Sequence, residues 1–299
     1  MQVLVSGSSG LVGSALVAAL EGAGHAVVRL VRRTPAANEI QLDPAKDPPL
    51  ATSAKGGAPE TFDAVVHLAG ESIAGRWTAA KKAAIRNSRV QGTSTLATAL
   101  ARTARPPKVM VCASAIGIYG DRGDEVLREE SAPGSDFLAE VSQQWEAATE
   151  PAARAGIRVV SLRIGVVLSP RGGALGRMLP PFHMGAGGRI GGGSQWMSWI
   201  TLDDIVGSIQ HALATDSLRG PVNTVAPNPV TNAEFTRTLG QALHRPTIFP
   251  LPAFMVRLMF GEMGKALLLG SQRVDCGKLV ASGFRFRHPE LKPALEAIL

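Results

Sequence analysis

Residues 3–20 read VLVSGSSGLVGSALVAAL, and the order of events within them decides the fold. An apolar run ends at Ser6, glycines follow at positions 7, 10 and 13, and a leucine- and alanine-rich segment then continues at helical spacing. Glycine at those positions allows a tight turn, close approach of a diphosphate to the backbone, and contact with the N–H groups that open a helix. The same residues can also serve merely to start a helix. The phosphate reading is favoured by context: the glycines stand directly between a first strand and a first helix.

Outward from this segment, short apolar runs alternate with alanine-rich helical stretches. Strands are expected at 2–6, 25–31, 64–68, 108–113 and 158–164, with helices beginning near Leu11, Ala79, Thr93 and Phe137. All the runs but the second are mostly apolar, as parallel strands covered on both faces must be. The expected class is therefore α/β, a Rossmann-type doubly wound parallel sheet. Residues 169–195 are so rich in glycine and proline that they read as a long mobile loop over a site. A strand and a helix return in WMSWITLDDIVGSIQHAL, where Asp203 and Asp204 suit a helix N-terminus. The expected division is a cofactor-binding domain over 1–226, including that loop, and a small, mostly helical segment over 227–299 closing the pocket.

Composition narrows the function classes. Apolar residues make up 45 % of the chain and aromatics only 5 %, so aliphatic side chains must fill the core. The net charge is +7, but the basic residues are scattered and lack aromatic interleaving, which argues against nucleic acid and suits a phosphorylated small molecule. Cys112 and Cys276 fit no metal or redox spacing, so no metal is expected and a reducing cytoplasm is. No run of 18 apolar residues occurs, and no membrane partner is expected.

The second strand ends in RLVRRT, where NAD-binding domains of this design carry a carboxylate for the ribose hydroxyl. Arg32 and Arg33 instead offer guanidinium groups to a 2′-phosphate, which favours NADP(H). One of the two can point into solvent, and Arg32 is the better placed. His67, within an apolar strand, reads as a packed core histidine.

The glycine loop is followed in order by VVHLAGES (65–72), ASAIGIYGD (113–121), RIGVVLSPRGG (163–173) and SWITLDDIV (198–206). Added to these are GESIAGRWT, SRVQGTS, GDRGDE, DFLAEVSQQWE and SQRVDCGKLVASGFRFRHPEL. In this combination the chain resembles the extended short-chain dehydrogenase/reductase superfamily. Within it, the chain is similar to the atypical epimerase branch of the SDR39U class, with its DUF1731-like C-terminal segment. The resemblance implies that Gly7, Ser9, Gly10, Leu11 and Val12 surround the pyrophosphate, and that Leu68, Ala69 and Gly70 line the adenosine and nicotinamide side. It also implies that Ser114 polarises a substrate carbonyl or hydroxyl; the other reading of Ser114 is a buried strand-end hydroxyl.

The same resemblance exposes a gap. Active superfamily members use a tyrosine within Tyr-x-x-x-Lys, the lysine lowering the phenol pKa. Tyr119 is the only tyrosine, and Gly123 stands four residues after it. Tyr119 therefore reads as a pocket wall or hydrogen-bond donor before it reads as a proton carrier. The dyad positions align with Leu138 and Ser142, and Arg89 replaces the relay asparagine. Substitute groups are available: Glu71 near the nicotinamide, and Arg89 or Arg163 against an oxyanion. Trp77, Trp196 and Trp199 can face the pocket or fill the core, and His183 and Arg189 can meet an anionic substrate. Two functions remain open, an oxidoreductase or epimerase-like enzyme with an unusual acid, and a catalytically silent NADP(H)-binding sensor. Either is expected as a monomer or homodimer acting on, or sensing, a small molecule.

Overall fold

The computed structural model describes residues 1–36, 38–42 and 61–299. The first part of the chain runs β1 (Gln2–Ser6), α1 (Leu11–Gly22), β2 (Ala26–Val31), β3 (Glu39–Gln41), β4 (Ala64–His67), α2 (Ala79–Ala101), β5 (Val109–Ala115), β6 (Val126–Leu127), α3 (Phe137–Ala147), α4 (Glu150–Arg154) and β7 (Arg158–Ile164). It continues through β8 (Val166–Leu168), α5 (Gly173–His183), β9 (Trp196–Met197), β10 (Trp199–Thr201), α6 (Leu202–Ala214), β11 (Gly220–Thr224), β12 (Val230–Thr231) and α7 (Asn232–Leu243). The C-terminal part holds α8 (Ala253–Gly264), a π-helical turn (Lys265–Leu269), β13 (Arg273–Val274), α9 (Gly277–Ala281) and α10 (Leu291–Ile298).

The main sheet has seven strands in the order β11-β7-β5-β4-β1-β2-β3, and every pairing is parallel. Alternation along β1 shows why its residues are all apolar. Val3 and Val5 enter a core with Leu16 and Leu20 of α1 and Ile205 and Ile209 of α6, whereas Leu4 enters a second core with Leu96, Leu100 and Trp145. The chain winds from β1 to β3 on one side, then returns to β4 on the other. The strand order thus reverses between β1 and β4, where folds of this type leave a crevice at the C-terminal strand ends.

Two expectations need correction. Thr93 starts no helix: α2 runs unbroken from 79 to 101, and Thr93 is buried inside it. The stretch 169–195 is not simply a loop, since α5 occupies its centre. Leu175, Leu179 and Phe182 lie on one face of α5 and pack against Phe235, Leu239 and Leu295. Glycine and proline density masked that i, i+4, i+7 pattern, and Pro180 and Pro181 sit in the helix's last turns. The same hydrophobic cluster crosses residue 226, joining segments on both sides of the expected division. Of the two readings open for Trp199, the core one holds: its ring is fully buried and its Nε1 donates to the Asn228 carbonyl at 3.0 Å.

Edge strands β3 and β11 were not anticipated. Each is short, and β11 carries Pro221, which an edge tolerates because one side of its backbone needs no ladder partner. Among the described residues, no helix is long and apolar enough to cross a membrane.

Candidate functional site

The turn after β1 is shaped by contacts that no side chain could share. Gly7 has φ +69°, and a Cβ there would sit 2.7 Å from the Leu68 carbonyl carbon; a Cβ on Gly13 would sit 2.1 Å from the Gly7 oxygen. Backbone therefore lies on backbone from β1 to α1 to the end of β4, and Gly10 N donates to Gly7 O at 3.0 Å. Gly10 is the N-cap of α1 and supplies no side-chain cap, and the first turn holds no acidic residue. The opening N–H groups of α1, on Leu11 and Val12, have no helical partners. Facing them, Leu11 touches the backbone positions of Gly172 and Gly173 in the entry to α5. This is a cradle for an anion at the positive end of a helix, and the residues present fit the diphosphate of a dinucleotide.

The two arginines after β2 part company. Arg33 is taken by Glu39: their Nη2 and Oε1 atoms are 2.6 Å apart, and Arg33 also donates to the Thr34 carbonyl. The Ala36 N–H and the Arg33 guanidinium hold the Glu39 carboxyl below the usual range. Arg32 forms no ion pair among the described residues and lies close enough to help hold the Glu71 carboxyl down.

The end of β4 forms the other wall. Ser6 Oγ accepts from Ala69 N at 3.4 Å, and a Cβ on Gly70 would press on the Arg89 guanidinium at 3.3 Å. Arg89 lies 5.0 Å over the Trp145 ring and donates to the carbonyls of Glu71 and Ile85. The Glu71 N–H donates to Ser88 Oγ, so α2 fixes this segment through both Ser88 and Arg89. The Glu71 carboxylate meets Lys81 Nζ at 2.6 Å, and that partner above all keeps it ionised. Lys81 escaped the sequence reading. Its signal was Thr78, whose hydroxyl accepts from Lys81 N and so caps α2 and puts the lysine in its first turn.

Ser114 and Tyr119 are brought together in one hydrogen-bonded chain. Ser114 is 3 % exposed and donates to Glu146 Oε1 at 2.7 Å. The same carboxylate receives Arg163 through Nε and Nη2, both at 2.9 Å. Arg163 Nη1 donates to the Tyr119 hydroxyl at 2.9 Å, and Tyr119 in turn donates to Asn223 Oδ1 at 2.6 Å. Burial pushes the Tyr119 phenol up. This chain of hydrogen bonds ties β5, α3, β7 and β11 together and engages both hydroxyls. Arg163 also donates to the Glu129 carbonyl at 2.9 Å.

Other candidates are placed as follows. His67 bridges Ser6 Oγ at 2.6 Å and Thr93 Oγ1 at 3.0 Å, and burial takes its pKa to about 4. Trp77 packs edge-on to Phe137 at 5.2 Å, while Trp196 stacks with Arg273 at 4.4 Å and donates to Asp124. His183 and Arg189 are exposed. Leu138 packs against Gly117, 3.5 Å from the position of a Cβ there, and Ser142 is buried. Cys112 and Cys276 are free and buried, with thiols pushed up to about 12 and about 11.

Comparison with known proteins accounts for this arrangement. Residues 3–224 match the NAD dependent epimerase/dehydratase family, and residues 251–298 match a domain of unknown function, DUF1731. The chain belongs to the NAD dependent epimerase/dehydratase family. Within it, this epimerase family chain is of the SDR39U type. It is 46 % identical to an epimerase family protein of Mycobacterium bovis, over 98 % of this chain and 96 % of the relative. It is 38 % identical to human epimerase family protein SDR39U1 over the whole of both chains. The crystal structure of human SDR39U1 isoform 2 with NADPH superposes with a TM-score of 0.91 at 37 % identity, covering 100 % of this chain and 99 % of that one. A Corynebacterium glutamicum protein described as a nucleoside-diphosphate sugar epimerase gives 0.80 at 38 % identity, covering 100 % of this chain and 58 % of that one.

Proposed function

We propose that this protein binds NADP(H) in the β1–α1 cradle and that its chemistry does not pass through a tyrosine–lysine pair. The observation that carries the reading is the division of labour between the arginines: Glu39 occupies Arg33, whereas Arg32 forms no ion pair among the described residues and acts on Glu71, just past the end of β4. The diphosphate would lie against Gly7, Ser9, Gly10 and the N–H groups of Leu11 and Val12, with Leu68, Ala69 and Gly70 along the ring side and Arg32 on the 2′-phosphate. The NADPH bound to the human relative supports this assignment. When bound, the nicotinamide supplies a site for hydride donation or acceptance.

The chain itself offers no tyrosine for proton transfer, because its single tyrosine is locked to Arg163 and Asn223. Loss of a positioned acid–base group forfeits about 10²–10⁴ in rate. A second reading, an oxidoreductase or epimerase-like enzyme with a substitute group, is favoured by one contact, Lys81 Nζ to Glu71 Oε1 at 2.6 Å just beyond β4. There the ammonium can hand a proton to a developing alkoxide and recover it from water.

Titration with NADPH and NADH tests the first reading. Arg32→Ala is expected to weaken NADPH by about 10- to 100-fold, the worth of one charge-assisted hydrogen-bonded contact, and to leave NADH unchanged. Equal wild-type affinities for both cofactors would refute it. Turnover of NADPH against carbonyl and nucleotide-sugar compounds, lost in Lys81→Met, would establish the second.

A further inference from the structure

Helix α8 reads AFMVRLMFGEMG, apolar on nearly every side, yet it turns only Val256, Met263 and Gly264 inward. A helix of that composition is ordinarily covered on all faces. Here Phe254 is 67 % exposed, Leu258 83 % and Met259 61 %.

The exposed patch continues beyond the helix. The segment before α8 runs alongside residues 189–191: Leu251 N donates to Arg189 O at 2.9 Å, and Gly191 N donates to Leu251 O at 2.8 Å. That pairing brings Met184, Ile248 and Phe249 to the same edge, at 76 %, 72 % and 60 % exposure. Six large apolar side chains exposed within these neighbouring segments exceed what an uncommitted surface carries.

Charge decides what covers them. Arg257 within α8 and Lys265 just after it are exposed, and Arg189 and Arg237 line a cavity of about 260 Å³ with Thr236, Thr247 and Ile248. Arg245 is anchored to the His183 carbonyl, next to Met184. The single carboxylate of α8, Glu262, is already paired with Lys82 of α2. A second copy docking through this face would set these five cations against the same five, which is electrostatically unfavourable. An anionic bilayer offers both an apolar layer for the phenylalanine and leucine side chains and phosphates for the cations.

We propose that the face built from α8 and residues 245–251 docks on an anionic membrane surface, with Phe254 and Leu258 entering the headgroup boundary and the arginines meeting lipid phosphates. The mode is interfacial. The expectation of no membrane partner rested on span length, which does not bear on it. The Lys82–Glu262 pair places α8 beside the first turn of α2, so a docked protein would turn the Glu71–Lys81 side of its crevice toward the lipid.

Co-sedimentation of the full chain tests this, with vesicles of phosphatidylcholine alone and of equal parts phosphatidylcholine and phosphatidylglycerol. Binding is expected to the mixed vesicles at low salt, to fall with added salt, and to be absent on phosphatidylcholine. A Phe254→Ser and Leu258→Ser double variant, with its melting temperature unchanged, is expected to bind about tenfold or more weakly, because the apolar area that inserts is lost. An Arg257→Glu and Lys265→Glu variant should lose the preference for anionic lipid. Failure of the wild type to sediment with mixed vesicles would overturn the proposal, as would equal sedimentation of the double variant. A wild-type dimer that the same serine substitutions convert to monomer would overturn it in favour of self-association.

Discussion

Arg163 and Glu146 face each other in a bidentate pair, with Nε and Nη2 each 2.9 Å from a carboxylate oxygen and side-chain exposures of 8 % and 18 %. Around this pair hang the two hydroxyls that the sequence offered as catalysts, Ser114 on the carboxylate and Tyr119 on the guanidinium. The pair is a joint between β7 and α3, and it draws both hydroxyls into one buried hydrogen-bonded chain.

Breaking the joint should be costly. Glu146→Gln leaves Arg163 without its counter-charge in a largely buried place, and a loss of about 3 kcal/mol is expected in chemical denaturation. Tyr119→Phe leaves Asn223 Oδ1 without its donor and should cost about 1–2 kcal/mol while NADPH affinity stays at the wild-type value. Abolished turnover in Tyr119→Phe with intact cofactor binding would instead return the tyrosine to the catalytic machinery.

Two glycine-to-alanine substitutions should have opposite effects. At Gly13 the new methyl would sit 2.1 Å from the Gly7 oxygen, so α1 must move off the turn. NADPH affinity is expected to fall by about 100-fold or more, since the phosphate cradle depends on that packing. At Gly92, inside α2, nothing lies within 4 Å, and alanine is expected to stabilise the fold by about 0.5–1 kcal/mol. Fluorescence titration and thermal melting separate the two.

His67 makes stability depend on pH in a defined window. Its folded pKa of about 4 lies below the ordinary 6.5 because burial disfavours the imidazolium. Above pH 6.5 both folded and unfolded states hold it neutral, and no pH dependence arises from it. As pH falls from 6.5 toward 4, the unfolded chain takes up a proton that the folded chain refuses, so stability is lost, by roughly 3 kcal/mol across the window. Denaturation midpoints measured through that range should flatten in His67→Gln, which cannot titrate. An unchanged slope would show that other groups carry the acid sensitivity.

The sequence by itself determined the alternating strands and helices, the glycine cradle and the order of the motifs, because each is written in local spacing. The period of apolar residues and the steric freedom of glycine act over a few residues, and the parallel sheet follows from them. Lys81 could be placed on α2 through its Thr78 cap, but its partner Glu71 lies ten residues away across an irregular segment. Arg32 could be preferred to Arg33 from position alone, but the reason that Arg33 is taken, Glu39 arriving from the neighbouring edge strand, could not. Only the tertiary structure decided that Ser114 turns to Glu146, 32 residues on, and that Tyr119 meets Asn223, 104 residues on. A buried hydroxyl takes whichever partner the packing of distant elements brings to it, and no spacing along the chain encodes that choice.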